Sequence, residues 1–291
     1  MSRTKIKNRF GPEAVAFIHG AAKGLQDSYI TRFACAFGSP NVGWQGHVCF
    51  VPRVIASQFT YGFYAVPDYD DSPSCIIVWG SNMSETFPHA YARVIKAVQK
   101  GSSIIIIDPR QINLAKNSDV WLQHRPGSDL ALALGMINVI IKENLFDKNF
   151  VETWTTGFNT LKDHIKHYTP KKVAAITWVS AKKIEESARL YATSKPAVIQ
   201  WGNAIDHGIN SFQTARAICI LRAITGNIGV PGGEIQPVSM PLNGRRSPEL
   251  ELWGKVPPDN LKKSLNKNLN LMPMIKYVQP QVSRNRSSKS L

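Results

Sequence analysis

The chain has 291 residues, 43% hydrophobic and 19% charged, a globular composition that excludes a wholly disordered, collagen-like or coiled-coil protein. Its formal charge is +15, and the ends hold most of it: residues 1–10 carry +4 and residues 255–291 carry +7. A basic end reads first as a solvated, poorly ordered tail, so nucleic acid is not an expected partner.

No apolar run approaches the roughly 20 residues needed to cross a membrane. The first twenty residues have charges but neither a long apolar core nor twin arginines. No secretory signal is read there, and the chain as encoded is expected in the cytoplasm. Cys35, Cys49, Cys75 and Cys219 are widely spaced, with no Cys-x-x-Cys. That spacing argues against a disulfide framework, a structural zinc site or an iron–sulfur cluster held by these cysteines alone.

In chain order, residues 14–19 read as a short buried strand, and residues 21–37 have helical periodicity. Gly38-Ser39-Pro40-Asn41 breaks the pattern, and residues 41–46 are polar and glycine-containing, hence a loop. A helix is expected over 51–64, with Pro52 tolerated in its first turn. Strands follow at 75–79, 104–107 and 120–122, each a continuous apolar run, and at 197–201 (AVIQW). Helices are expected at 87–100, 130–143 and 181–193, and one long helix within 203–227. Uniformly apolar strands alternating with helices predict a doubly wound α/β fold: a mostly parallel, dinucleotide-binding-like sheet flanked by helices. Residues 255–291, rich in Lys, Asn, Ser and Pro, read as a disordered basic tail outside any core.

Ligands of open parallel sheets bind beyond the carboxyl ends of the strands. Suggestive residues recur there. Strand 75–79 ends in Trp79 and runs into Gly80-Ser81-Asn82-Met83-Ser84-Glu85-Thr86. Strand 104–107 runs into Asp108-Pro109-Arg110, and strand 120–122 is followed by Arg125-Pro126-Gly127-Ser128-Asp129. Strand 197–201 ends in Trp201, followed by Gly202-Asn203-Ala204 and, further on, His207. Glycines let backbone approach a ligand, hydroxyls and amides hydrogen-bond it, and helix N-termini attract phosphate. A carboxylate such as Asp108 or Asp129 can accept N–H bonds from a guanine edge or O–H bonds from ribose. Each piece alone also reads as a turn or a helix cap. Four together point to an anionic, nucleotide-like cofactor. Gly-x-Gly-x-x-Gly is absent after every strand, which argues against NAD. Cys49 follows a glycine loop and opens a helix, which suits either a reactive thiolate for a soft metal or a small buried hydrophobe. Cys35, Cys75 and Cys219 sit in apolar runs and read as core.

Taken together, and in order, several runs resemble the molybdopterin oxidoreductase (dimethyl sulfoxide reductase) family: residues 37–41, the loop ending Val48-Cys49, residues 79–86, 107–110, 125–129 and 225–233. The resemblance covers residues 11 to about 240 and implies a catalytic subunit that performs two-electron redox on a small-molecule substrate. The implied cofactor is bis-molybdopterin guanine dinucleotide with molybdenum or tungsten. By the same resemblance Cys49 is the protein ligand of the metal and the catalytic residue. Gly80, Ser81, Asn82 and Thr86 contact the pyrophosphate of one dinucleotide, Asp108 and Arg110 its ribose or phosphate, and Asp129 its guanine. Trp201, Gly202 and Asn203, with His207 in the same segment, wall the pterin and metal. Trp79, Glu85, Pro109, Gly127 and Ser128 complete these loops. The loop around Cys49 is similar to members acting on sulfur compounds and to the acetylene hydratase-like branch, so the alternatives are a tungsten-dependent acetylene hydratase-like lyase or an inactive cofactor-binding remnant. Phe50 stands where formate dehydrogenases usually have a histidine, which argues against formate oxidation. The family's iron–sulfur domain and C-terminal domain have no counterpart in this chain, so an iron–sulfur domain or subunit is the expected electron partner. The implied organisation is a partial α/β domain over 1–44, the cofactor-binding domain over 45–240, and a truncated remainder with the basic tail over 241–291.

Overall fold

The computed structural model describes residues 2–20, 25–237 and 252–263. The chain divides into two compact units, one built from residues 1–49 and the chain after 238, the other from residues 50–238.

In the first unit, helix α1 (Arg3–Phe10) is followed by strand β1 (Phe17–His19), helix α2 (Leu25–Phe37) and strand β2 (Val42–Trp44). β1 and β2 pair in parallel, with Phe17 opposite Val42. Residues 42–44 look like loop because local glycine and polarity disguise a strand whose partner lies 25 positions earlier in the register. The basic N-terminus is not a free tail. Ser2 caps α1 and the Lys7 ammonium bonds the Phe37 carbonyl at 2.7 Å. Part of the expected C-terminal tail also folds. Residues 253–255 form a 3₁₀ turn, Val256 is buried, and Asn260 donates to the Gly38 carbonyl at 3.0 Å. Residues 264–291 lie outside the described residues.

The second unit begins with helix α3 (Phe50–Tyr61) and strand β3 (Val66–Pro67). Then come strand β4 (Cys75–Trp79), helices α4 (Met83–Thr86) and α5 (Pro88–Gln99), and strands β5 (Ser103–Ile107) and β6 (Val120–Leu122). Five helices follow: α6 (Asp129–Lys142), α7 (Lys148–Trp154), α8 (Phe158–Ile165), α9 (Pro170–Thr177) and α10 (Ala181–Thr193). Strand β7 (Ala197–Trp201), helices α11 (Asn203–Asp206) and α12 (Ser211–Ile224), and strand β8 (Glu234–Ile235) close the unit. The long helix expected within 203–227 is α12, preceded by the one-turn α11.

The sheet is parallel with order β6-β5-β4-β7. Alternation inside each apolar strand explains why the strands look uniform. Cys75, Ile77 and Trp79, with Ile105, Ile107, Ala197, Ile199 and Trp201, enter one core with α6, α10 and α12. Ile76 and Val78, with Ile104, Ile106 and Val198, enter a second core against α5. Both faces are covered, so neither needs polar residues. α6 is buried almost all round, Leu132 to Ile141, as expected for a helix packed against α9, α10 and α12.

β7 is the sheet's lateral edge, and its outward N–H groups meet side chains instead of a strand. Asn227 Oδ1 accepts from Ala197 N at 2.9 Å, and Glu234 Oε1 accepts from Ile199 N at 2.7 Å. This closes an edge that would otherwise be free to pair.

Candidate functional site

The chain order reverses between β4 and β7: β5 lies on one side of β4 and β7 on the other. A crevice outside the strand ends is expected at such a point. The register puts Trp79 beside Trp201 and Ile107 beside both Trp79 and Leu122, so four strand ends line up on one edge. At the reversal the two backbones touch. Gly202 N donates to Trp79 O at 2.8 Å, and a Cβ at Gly202 would lie 2.1 Å from Gly80 O. Gly80 itself has φ +56. Only glycine at 202 permits this crossing.

After β4, Ser81 is nearly buried, while Glu85 and Thr86 are exposed. Asn82 precedes α4 without capping it by its side chain; its Oδ1 accepts from Ser84 Oγ at 3.0 Å and its carbonyl from Thr86 Oγ1. After β5, Asp108 is buried and accepts from the Arg110 N–H at 2.8 Å. The Arg110 side chain stays 71% exposed. Pro109 accepts from Gln123 Nε2 at 3.0 Å, and Asp108 O from Trp121 Nε1 at 2.9 Å, which bind the β5 and β6 loops together.

The densest polar group lies after β6. Asp129 opens α6, and its Oδ1 accepts from Trp79 Nε1 at 2.9 Å and pairs with His124 Nε2 at 2.8 Å. Burial pushes this carboxyl up, but the His124 hydrogen bond and charge, then the Trp79 N–H, outweigh it and hold it below the ordinary range. Ser128 donates to Arg125 O at 2.6 Å, and Gly127 turns at φ +80 with open space where a Cβ would stand. The Arg125 guanidinium lies 5.6 Å from the centre of the Trp178 ring.

After β7, Trp201 is buried, Asn203 and His207 are exposed, and Asp206 is fully buried. Arg53 of α3 forks onto Asp206, with Nε 3.2 Å from Oδ1 and 3.0 Å from Oδ2 and with NH2 on Oδ2. Burial nevertheless keeps the Asp206 carboxyl above its ordinary value, against the pull of Arg53. Trp201 lies between two cations, the Arg222 guanidinium 4.3 Å and the Arg53 guanidinium 5.4 Å from its ring centre.

Cys49 is the last residue of the first unit. It is a free, half-buried thiol whose N–H bonds the Gly46 carbonyl at 3.1 Å, one residue before α3 begins. Among the described residues no group of three or more His, Cys, Asp and Glu is arranged to hold a metal ion.

The strand-end residues named from the sequence thus share one edge, but not one exposure. Gly80, Ser81, Asn82, Arg110, Gly127, Gly202 and Asn203 retain at least some accessible surface, whereas Trp79 is sealed and acts through Asp129. Sequence reasoning passed over His124, Arg53, Asp206, Arg222 and Glu234. His124 stood in plain view, one residue before the Arg125 loop. Arg53 and Asp206 are 153 positions apart and carry no local signal.

No helix among the described residues is long and apolar enough to cross a membrane. The sequence profile of the family described as Molybdopterin oxidoreductase matches residues 2–287. The chain is 37% identical over 245 residues to acetylene hydratase of Syntrophotalea acetylenica, covering 81% of this chain and 33% of that protein. It is 43% identical over 231 residues to the alpha subunit of an F420-dependent formate dehydrogenase of Methanocaldococcus jannaschii, covering 78% and 34%. The solved structure of acetylene hydratase from Pelobacter acetylenicus superposes with a TM-score of 0.76 at 32% identity, covering 91% of this chain and 36% of that one. The chain therefore spans about a third of the length of these relatives. With a family match across nearly its whole length, the chain belongs to the molybdopterin oxidoreductase family.

Proposed function

We propose that this chain is the cofactor-binding region of a molybdopterin-dependent oxidoreductase catalytic subunit, holding bis-molybdopterin guanine dinucleotide with molybdenum or tungsten. The observation that carries the reading is the alignment of four strand-end loops on one sheet edge, tied together by the Trp79–Asp129 bond, in a chain of this family. When bound, the cofactor supplies two-electron redox chemistry at its metal.

The residues present suit that group. Both side-chain donors to Asp129 fall on Oδ1, which leaves Oδ2 for guanine N–H donors. Gly127 leaves room for a base to approach. Among the described residues the exposed Arg110 guanidinium has Asp108, at 3.9 Å, as its nearest counter-charge, which leaves it able to meet phosphate. Gly80, Ser81 and Asn82 present backbone and short polar groups to a pyrophosphate. Cys49 contributes a soft thiolate to the metal. Trp201, fixed by Arg53 and Arg222, forms one wall with Gly202 and Asn203 and excludes water beside it. Substrate would be a small molecule, with sulfur compounds the leading class, and electrons would pass to an iron–sulfur domain or subunit.

The likeness to acetylene hydratase in sequence and structure favours one second reading: a tungsten-dependent hydratase-like lyase. A hydratase turns over without an electron acceptor, so an acceptor-dependence assay separates the two.

The test is elemental. The chain is purified from a host that makes the cofactor, and molybdenum, tungsten and released guanine nucleotide are measured per chain. Near-stoichiometric metal is expected, falling to background in Cys49→Ala with unchanged circular dichroism. A folded wild-type chain with neither metal nor nucleotide, or a Cys49→Ala chain that keeps its metal, overturns the reading.

A further inference from the structure

The pair His124–Asp129 does something that neither the family match nor the strand-end pattern assigns. His124 is buried, its side chain 3% exposed, at a place where the chain leaves β6 for the Arg125 loop. Its Nε2 lies 2.8 Å from Asp129 Oδ1, while Nδ1 is enclosed with no partner. A nitrogen facing a carboxylate at this distance acts as donor, so Nε2 carries a proton and donates it to Asp129. Trp79 donates to the same oxygen from the opposite element, β4. An sp² carboxylate oxygen has two in-plane lone pairs, so these donors fill Oδ1 and fix the plane of the carboxylate.

We infer that His124 is a positioning residue for base recognition: with Trp79 it locks Asp129 so that a single oxygen, Oδ2, is presented to the N1–H and N2–H donors of a guanine. This rests on the reading that Asp129 receives the guanine of the cofactor. The carboxylate then meets its ligand at one oriented oxygen, and its recognition step depends on staying ionised. Among the described residues His124 is the titratable or charged side chain within bonding distance of Asp129. Trp79 from β4 is a neutral donor, Arg125 is turned toward Trp178, and no charged group of α9 or α10 bonds the carboxylate. Removing the His124 donor frees the carboxylate to rotate and eases its protonation, so guanine binding is lost at a higher pH than in the wild type.

The test uses the full chain and guanosine diphosphate as probe, with inosine diphosphate, which lacks the N2 amino group, as the comparison. Binding is measured calorimetrically from pH 4 to 8. The wild type should prefer the guanine probe about tenfold, and Asp129→Asn should abolish that preference. In His124→Phe, which fills the same space without a donor, guanosine diphosphate should bind roughly tenfold more weakly at pH 7, and its acid limb should move upward. His124→Gln, whose amide can donate to Oδ1, should restore most of the affinity. If the wild type does not distinguish the two probes, or Asp129→Asn matches it, the guanine reading of Asp129 fails and this inference with it. If Asp129→Asn loses the preference but His124→Phe keeps both wild-type affinity and acid limb, the guanine reading stands and the positioning role of His124 is overturned. Weaker binding with an unmoved acid limb, unrescued by His124→Gln, also overturns it, because a space-filling role would give that pattern.

Discussion

Asp129 and Glu234 are carboxylates at two edges of the same sheet, each beside a basic side chain, and the protein treats them in opposite ways. Asp129 stands at the carboxyl edge, where His124 and Trp79 both donate to Oδ1, and it is held below the ordinary carboxylate range. Glu234 stands at the lateral edge, fully buried. Burial pushes it up to about 7, against the pull of Arg222 and of the Ile199 N–H. Arg222 Nε lies 2.9 Å from its Oε1 without the alignment of a hydrogen bond, and Oε2 has no partner. The difference is what each oxygen meets. Asp129 has one oxygen saturated by donors and one left open, the arrangement of a group waiting for a ligand. Glu234 has one oxygen standing in for a missing strand at Ile199 and one sealed away, the arrangement of a structural plug.

The contrast should break most visibly at Arg222. This side chain is 2% exposed; it bonds Ile199 O and Tyr61, pairs by charge with Glu234 and covers Trp201. Arg222→Ala removes the cation that faces Glu234 and the donors to Ile199 O and Tyr61, at a cost of about 3–5 kcal/mol. In thermal melts this should appear as a fall of roughly 10 °C. A change under about 1 kcal/mol would mean that the lateral edge is closed without the pair. Next is Gly202→Ala at the carboxyl edge, where the new methyl meets Gly80 O. Neither backbone can yield without moving β4 or β7, so a loss of about 2 kcal/mol is expected in urea denaturation. Gly127→Ala, with open space around its Cβ position, should cost only the strain of its positive φ, about 1 kcal/mol.

The sheet was legible because its strands are mostly apolar runs of strand length, and 75–79 and 197–201 carry the same bounds in sequence and structure. The strand-end loops were legible for the same reason: once the strands are placed, Gly80, Asp108, Asp129 and Gly202 must follow them. What stayed hidden depends on pairing across distance. β2 needs β1, Arg53 needs Asp206, and Arg222 needs Glu234 and the Ile199 carbonyl. Helices α7, α8 and α9 are only seven or eight residues long, too short to repeat an apolar pattern over several turns, and α7 and α9 are started by the side-chain caps Asp147 and Thr169. His124 was missed differently: a lone histidine signals nothing until a carboxylate five residues on turns back to meet it.

The two carboxylates should also leave opposite marks on stability against pH. Glu234 has a folded value raised above its unfolded one, so the folded state binds the extra proton. Its contribution is present below about pH 4.5 and is lost as pH rises through about 7, a fall on the order of 3 kcal/mol. Asp129 has a lowered folded value, so its contribution is present above its unfolded value and is lost as pH falls through the folded one. Melting temperatures from pH 3 to 8 separate them. Glu234→Gln should flatten the decline between pH 5 and 7, and Asp129→Asn should flatten the acid side alone. Equal profiles for the two variants would erase the distinction between an open and a sealed carboxylate.

The smallest effect is expected at Trp178, whose ring lies under Arg125 beside the Asp129 loop. Its backbone is left-handed, φ 64, and its side chain is 72% exposed. A bulky residue there costs about 1–2 kcal/mol, which glycine would relieve. Against that gain, glycine brings about 0.5–1 kcal/mol of unfolded-state entropy. The lost Arg125 contact removes a similar amount, about 0.5–1 kcal/mol for an exposed cation–π pair. Trp178→Gly should therefore move the urea midpoint by no more than about 0.5 kcal/mol at unchanged slope. A loss above about 1.5 kcal/mol would show that the Arg125–Trp178 contact braces the loop. Asp129 would then be oriented from both flanks, by His124 before the turn and by Arg125 across it.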